Sequence, residues 1–261
     1  MKTSLLYLLV ITFLLIIVAG NLGAQDFKGG VVKYQQTTKH DWDKIFNPKG
    51  NAKPNLKNFL AALPRVIKKY RILYFTENTA LYAEDPSENA ALPRNVQGAM
   101  MRASYMKPPT SELKNVHYDF EKNEKTERLE FMTRDFLINE PIANIAWKLT
   151  NKKIKIQNYV CQSAELKKGD DTITAFFTSE IPISAGPDAY FGLPGLILAI
   201  EVNGETAYMA TSVDLTPPQK AKVSKPNTGS KISREEFNKT VEEKVKEFKE
   251  SGGRRRGRGI R

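Results

Sequence analysis

The chain has 261 residues, one cysteine and a formal net charge of +11. A single cysteine excludes an internal disulfide, so burial of apolar side chains must hold the fold together. Residues 220–261 contain 14 basic and six acidic residues, whereas residues 25–219 carry a net charge of only +2. Because the positive charge is concentrated near the C-terminus, the basic composition does not indicate a fold for sequence-specific nucleic-acid binding.

Residues 1–24 have the pattern of a secretory signal peptide. Lys2 precedes an apolar stretch from Leu5 to Val18, and small residues before position 25 predict cleavage after Ala24. The stretch is short for a membrane span, and an uncleaved N-terminal anchor is the alternative. We therefore expect an exported chain, located in the periplasm, at the outer membrane or outside the cell, whose folded domain covers residues 25–215.

Strand patterns dominate that domain. Gly29 and Gly30 open the first predicted strand, and apolar residues alternate along residues 66–84, where Arg71 shares a face with Leu73 and Phe75. A short helix is predicted over Asn55–Ala62. Residues 85–112 are rich in Pro, Ala and Met without clean periodicity, which favours a long surface loop or lid.

Further strand patterns follow at short spacing up to residue 215, with no helices alternating between them. Asn203-Gly204 separates two of them and is typical of a type I′ hairpin turn. The predicted fold is mainly β: a single curved antiparallel sheet or half-open barrel with one or two short helices, plus a C-terminal helix.

The C-terminal part changes character. Residues 216–232 read as a linker, and residues 233–250 as an amphipathic helix that begins with a capping box formed by Ser233 and Glu236. Residues 251–261 are predicted to be a disordered Arg/Gly tail. Its candidate polyanion-binding residues, which would contact an anionic envelope surface through charge alone, are Arg254, Arg255, Arg256, Arg258 and Arg261.

The stretch "YFGLPGLILAIEV" combines a sharp turn with a buried strand. Pro194 and Gly195 suit the two central positions of a type II turn, and the apolar run after them indicates a strand. No Lys, Ser or Thr follows as a phosphate-binding loop requires, so we interpret the turn as structural.

This segment resembles the GLPGLI family, exported proteins of Bacteroidota named for the hexapeptide Gly192–Ile197. The similarity covers most of residues 29–215. The motif residues that carry it, to which we assign structural roles, are Trp147, Tyr159, Cys161, Glu180, Pro182, Gly186, Pro187, Gly192, Leu193, Pro194, Gly195, Leu196 and Ile197.

The chain departs from the family pattern in two places. Asn158 stands where a glycine is usual before the tyrosine, and Asp170-Asp171 stands where a Gly-Arg pair is frequent. The resemblance implies an exported, mostly β protein of unestablished activity, often encoded near TonB-dependent outer-membrane receptors. By analogy with periplasmic lipoprotein carriers, it implies a curled antiparallel sheet.

The residue inventory does not favour catalysis. His40 and His117 are expected at surface or edge positions, and Ser184 lacks a nucleophile-elbow pattern. Glu180 and Asp188 are expected to accept hydrogen bonds from turn amides, with pairing of the two carboxylates as the alternative. No cofactor is expected, and none of these residues is expected to bind metal. A copper(I) site at three methionines is a minor alternative; the residues concerned are Met100, Met101 and Met106.

Three functional hypotheses result. The first is a non-enzymatic binding or accessory protein that presents an apolar concave face to a hydrophobic ligand or to a TonB-dependent receptor. The second is an envelope hydrolase that uses Glu180 and Asp188. The third is a structural protein tethered to polyanions by the arginine tail. Cys161 is expected to be a buried apolar side chain, with a link to a second chain or a metal role as the alternative.

Overall fold

A computed structural model describes residues 28–47, 49–51, 53–88 and 92–251. Within them one twelve-stranded sheet runs in the order β12-β6-β5-β4-β3-β2-β1-β11-β10-β9-β8-β7, antiparallel except for the β12–β6 pair. The strands are β1 Gly29–Lys39, β2 Val66–Thr76, β3 Thr79–Glu84, β4 Glu112–Asp119, β5 Glu124–Phe131, β6 Arg134–Pro141, β7 Lys148–Ile156, β8 Tyr159–Lys168, β9 Asp171–Thr178, β10 Leu196–Val202, β11 Thr206–Asp214 and β12 Ser230–Lys231. The sheet is open, with β7 and β12 at its two edges, and the mainly β prediction is confirmed.

Four α-helices accompany the sheet in the described part of the chain: α1 Trp42–Phe46, α2 Pro54–Ala61, α3 Arg94–Tyr105 and α4 Arg234–Glu250. The first three pack together around Trp42, Leu60, Leu63 and Ala103. We call the described residues 39–68 and 92–107 the helical module. None of the described helices is long and apolar enough to cross a membrane.

The main core forms where the sheet curls over the loop of residues 179–195. Ile181, Ile183 and Ala185 from this loop are buried in one cluster with Tyr34 of β1 and Cys161 of β8. The Tyr34 hydroxyl donates a hydrogen bond to the Ile197 carbonyl at 2.7 Å. The chain thus fills the concave face of its own sheet.

Local sequence signals are confirmed at two places. Asn203 and Gly204 both have positive φ, 52° and 69°, and the Glu205 amide donates to the Val202 carbonyl as a type I′ turn requires. The capping box of Ser233 with Glu236 is present at the start of α4, and the buried Phe237 packs against Phe131 and Phe136.

Three expectations are wrong. Residues 94–105 of the expected loop form α3, because Ala99, Met100 and Ala103 recur at helical spacing and pack against Trp42 and Leu60, partners that are distant in the chain. The turn before β10 is not type II: the Gly195 amide donates to the Leu193 carbonyl at 2.8 Å and Gly195 has a φ of 148°. His117 is buried in an interior strand of the sheet, because the 3₁₀ turn of residues 220–223 covers it and the Val223 backbone accepts its hydrogen bond.

The segment predicted as a linker contacts the sheet at two points. Val223 is buried, and β12 pairs with β6 at Phe136 and Leu137. These contacts bring the chain to the start of α4.

Candidate functional site

Hydrogen bonds and close backbone contacts hold the loop between β9 and β10 in place. Gly192 has a φ of 90°, and its amide donates to the Ser184 hydroxyl at 2.9 Å. The Trp147 indole donates to the Phe191 carbonyl at 2.7 Å. A Cβ on Gly195 would lie 2.1 Å from the Thr178 carbonyl oxygen, so the backbone there approaches the end of β9 more closely than any side chain permits.

The remaining motif residues extend the same framework. Leu193, Leu196 and Ile197 are buried, and a Cβ on Gly186 would lie 2.7 Å from Cβ of Ile197. Pro187 is buried and its carbonyl accepts from the Tyr190 amide at 3.2 Å. The exposed motif residues are Glu180, Pro182, Gly192 and Pro194.

Cys161 is a buried free thiol. Its Sγ lies 3.8 Å from the Tyr159 carbonyl, and burial raises the pKa of the thiol to about 11. A thiol of this kind is an apolar packing group with little thiolate at neutral pH.

Polar side chains gather at one end of five neighbouring strands. The register places Tyr208 of β11 opposite Gln36 of β1, and Arg71 of β2 opposite Glu84 of β3. Glu112 begins β4 beside them. Because these side chains share one face and one end of the sheet, they form a single polar cluster.

Arg71 is the centre of this cluster. It is only 4% exposed, and its guanidinium forms ion pairs with Glu84 at 3.2 Å and Glu112 at 3.4 Å. Burial alone would raise the pKa of Glu112, but hydrogen bonds and charges from Lys69 and Lys114 outweigh burial and lower that pKa to about 2. A buried arginine between two carboxylates is held rigidly, since breaking such a pair leaves an uncompensated charge.

Asp188 faces the same cluster from the loop. It has a φ of 57°, in the left-handed region, and its Oδ2 accepts a hydrogen bond from the Tyr208 hydroxyl at 2.8 Å. Burial raises the pKa of Asp188, while the Tyr208 hydrogen bond and the Arg71 charge oppose this shift. Burial, aided by the charge of Asp188, also raises the pKa of Tyr208, which therefore stays a hydrogen-bond donor.

Tyr82 contributes a buried hydroxyl to the cluster. The residue is 3% exposed; the backbone N–H of Asp188 lies beside its Oη and opposes the rise in pKa that burial causes, but the O–H finds no acceptor among the described residues. A buried O–H without an acceptor carries a desolvation penalty of about 1–3 kcal/mol, which a bound ligand or water relieves.

Two adjoining cavities meet at Asp188. The smaller, of about 200 Å³, is lined by Gln36, Arg71, Tyr82 and Tyr208 among others. The larger, of about 770 Å³, has apolar walls from Leu113, Leu129, Ile145 and Phe191 and charged groups from Lys125, Glu127, Glu140 and Arg234. Ser111, Leu113 and Asp188 line both. This arrangement suits a ligand with an apolar body and a polar head.

The structure separates Glu180 and Asp188, the two carboxylates that the hydrolase alternative would need to pair. Glu180 is exposed, accepts from the Val160 amide at 3.3 Å and lines a different cavity with Lys153 and Gln162. Asp188 is half-buried beside Tyr208. Their partners differ, so the structure gives no support to a two-carboxylate hydrolase at this loop.

The other predicted chemical residues do not converge. His40 stacks on Trp42 with ring centroids 4.4 Å apart, and Ser184 braces Gly192. Met100 packs into the helical module, whereas Met101 and Met106 are exposed. In the described part of the chain no three His, Cys, Asp or Glu residues are grouped as a metal site would require. Arg254, Arg255, Arg256, Arg258 and Arg261 lie outside the described residues.

Sequence reasoning missed Arg71, Tyr82, Tyr208 and Gln36. A signal for Arg71 was present, because it alternates with Leu73 and Phe75 on the face that is buried. A charged residue on an apolar face predicts a buried ion pair or a site. Its partners come from other strands, so only the register of the sheet identifies them.

A short segment of the chain matches a known sequence profile, and the fold is similar to that of two solved structures. A sequence profile described as "Protein of unknown function (Porph_ging)" matches residues 165–199, which is consistent with a Bacteroidota family protein. No curated protein matches the chain. Two solved structures are similar: "Structure of PNGF-II in P21 space group", with a TM-score of 0.52 and 14% identity, and "Structure of PNGF-II in C2 space group", with 0.52 and 13%. Both matches cover 83% of this chain and about a third of the other (34% and 33%), so they show similarity of fold alone.

Proposed function

We propose that this chain is an exported, non-enzymatic binding or accessory protein of the bacterial envelope, of the GLPGLI type, whose ligand occupies the cavities that meet at Asp188. The observation that supports this proposal is the Tyr82 O–H, which has no acceptor among the described residues and lies in a cavity that Arg71 and Asp188 also line. The loop that carries Asp188 is braced on both sides, as preorganised binding sites are.

We expect a ligand that carries both polar and apolar groups, and not a purely apolar ligand. The apolar interior of the sheet is filled by Ile181, Ile183 and Ala185, so the accessible volume is the mixed cavity between Leu113, Phe191 and the charged strands. A small amphipathic molecule fits this lining, with its polar head at Asp188 and Tyr82. The accessory role includes association with a TonB-dependent receptor, which co-purification from the outer membrane tests.

Native mass spectrometry of the protein isolated from the envelope of producing cells tests the binding role. We expect a bound small molecule, and we expect Tyr82→Phe to raise its Kd about tenfold, the effect of losing a hydrogen bond worth about 1.4 kcal/mol, so that less of the variant is isolated with the molecule bound. A purely structural Tyr82 predicts unchanged occupancy. Glu180→Gln, in the separate cavity, is the control.

The free energy of unfolding distinguishes a ligand-binding role of Tyr82 from a purely structural one. Because the Tyr82 O–H has no acceptor in the described structure and its oxygen lies beside the Asp188 amide alone, Tyr82→Phe should change the free energy of unfolding by less than about 1 kcal/mol. Wild-type protein that carries no ligand from the envelope, and takes none up from an envelope lipid extract, would refute the proposed function.

A further inference from the structure

The helical module has a charge that the rest of the domain does not share. Its described residues contain ten Lys and Arg against two Asp, a net charge of +8. Residues 25–219 together carry only +2, so the remainder of that range is at −6. The positive charge is therefore concentrated in the module and is not a background property of the fold.

The module also exposes apolar side chains. Six large hydrophobic residues within it are solvent-exposed, against four elsewhere in the described chain. The six are Ile45, Val66, Leu92, Met101, Tyr105 and Met106. Exposed apolar groups concentrated in one basic region indicate an interaction surface.

Helix α3 organises part of this surface into one face. At 100° per residue, Ala99, Met100 and Ala103 lie on the side that packs into the module. Arg94, Met101 and Tyr105 fall on the opposite side, and all three are exposed, Met101 by 63% and Tyr105 by 54%. Arg102 flanks this stripe. The outer face thus combines two exposed apolar side chains with two arginines.

We propose that the helical module docks onto an anionic phospholipid bilayer through this outer face of α3. Met101 and Tyr105 enter the interfacial region, where a tyrosine places its ring among lipid chains and its hydroxyl in water. Arg94 and Arg102 contact lipid phosphates, and the other exposed cations of the module add long-range attraction. This inference is independent of the ligand cavity at Asp188.

Co-sedimentation with vesicles tests the docking. The full chain is compared on phosphatidylcholine vesicles with and without about one third phosphatidylglycerol. The double variant Arg94→Gln/Arg102→Gln should partition about thirtyfold more weakly onto anionic vesicles, because each basic residue near such a surface contributes about a factor of five. Met101→Ser/Tyr105→Ser should weaken binding on the same vesicles by at least tenfold.

Two matched control variants test whether binding depends on the α3 face or on the overall charge of the protein. The N-terminal apolar stretch and the arginine tail are present in every variant, so they do not affect the comparison. Lys148→Gln/Lys155→Gln removes two exposed cations from β7, and Leu149→Ser/Val160→Ser removes two exposed apolar groups near the same edge. Both should bind vesicles as the wild type does. Equal losses in test and control variants would overturn the proposal.

Fluorescence gives a second measurement. Tyr105→Trp adds an exposed indole to a chain whose Trp42 is buried and whose half-buried Trp147 donates to the Phe191 carbonyl. The emission that the variant adds over the wild type should shift to the blue and become quenchable by brominated lipid only on anionic vesicles. No shift while the protein co-sediments would overturn the proposal. Arginine-dependent binding to duplex DNA with no effect of Met101→Ser/Tyr105→Ser on vesicles would overturn it in favour of a nucleic-acid partner.

Discussion

Substituting Gly195 tests whether the loop before β10 depends on a close backbone approach. An alanine there would need a φ of 148°, which L-residues rarely adopt, and would place its Cβ 2.1 Å from the Thr178 carbonyl oxygen. Backbone strain of this kind costs about 1–3 kcal/mol, and an overpacked contact adds about 1–3 kcal/mol. We expect Gly195→Ala to lower the free energy of unfolding by about 3–5 kcal/mol.

Two other glycines separate these contributions. Gly169 has a φ of 62° with nothing within 4 Å of an added Cβ, so Gly169→Ala should cost only about 1 kcal/mol, through backbone strain alone. Gly98 lies in α3 with open space around it, so Gly98→Ala should stabilise the protein by about 0.5–1 kcal/mol.

Urea denaturation of the three variants provides the measurement, and thermal unfolding supports it with a loss of about 10 °C for Gly195→Ala. The reasoning fails if Gly195→Ala is no more destabilising than Gly169→Ala. That result would mean that the end of β9 yields to the new side chain and that the loop does not depend on this approach.

Three further predictions concern the polar cluster, α4 and the tail. Because the pKa of Glu112 is lowered to about 2, its ionised form stabilises the fold above pH 4.5. Glu112→Gln should lower the free energy of unfolding by about 1 kcal/mol at pH 7, a value reduced for solvent screening. Urea titrations should show that the difference in free energy between wild type and variant vanishes as the pH falls from 4.5 towards 2. Phe237→Ala should cost about 3–5 kcal/mol and expose residues 224–233 to limited proteolysis, whereas Glu243→Ala on the exposed side of α4 should do neither. Deleting residues 252–261 should lower salt-sensitive retention in the envelope fraction, while leaving the contribution proposed for α3, if the arginine tail binds a polyanion; unchanged retention would end that hypothesis.

Short-range chemistry made part of the fold predictable. The Asn203-Gly204 turn and the Ser233 capping box depend on residues within four positions of each other, and both occur as expected. Alternation of apolar residues likewise located the strands of an open β-sheet. These features need no knowledge of distant partners.

Helix α3 shows where that reasoning ends. Ala99 and Ala103 pack inward while Met101 and Tyr105 point outward, and Met100 packs inward as well, so apolar residues lie on both sides of the helix. A hydrophobic pattern identifies a helix only when one face alone is apolar. If Met101 and Tyr105 face a membrane surface, as we propose, the second apolar face that obscured the helix is the one that serves binding.

The sequence did not predict the polar cluster, for a different reason. The same reason affects which ligands can bind. The curved sheet was expected to leave its concave face open, but the loop of residues 179–195 occupies that face and carries Asp188 to the ends of β1, β2 and β11. Filling the apolar interior with the protein's own side chains leaves accessible only the rim, where Arg71 and Tyr82 lie. A ligand that reaches this rim must satisfy a buried hydroxyl and approach a half-buried carboxyl. Its selection therefore depends on hydrogen bonds, since hydrophobic area alone discriminates weakly between ligands of similar size.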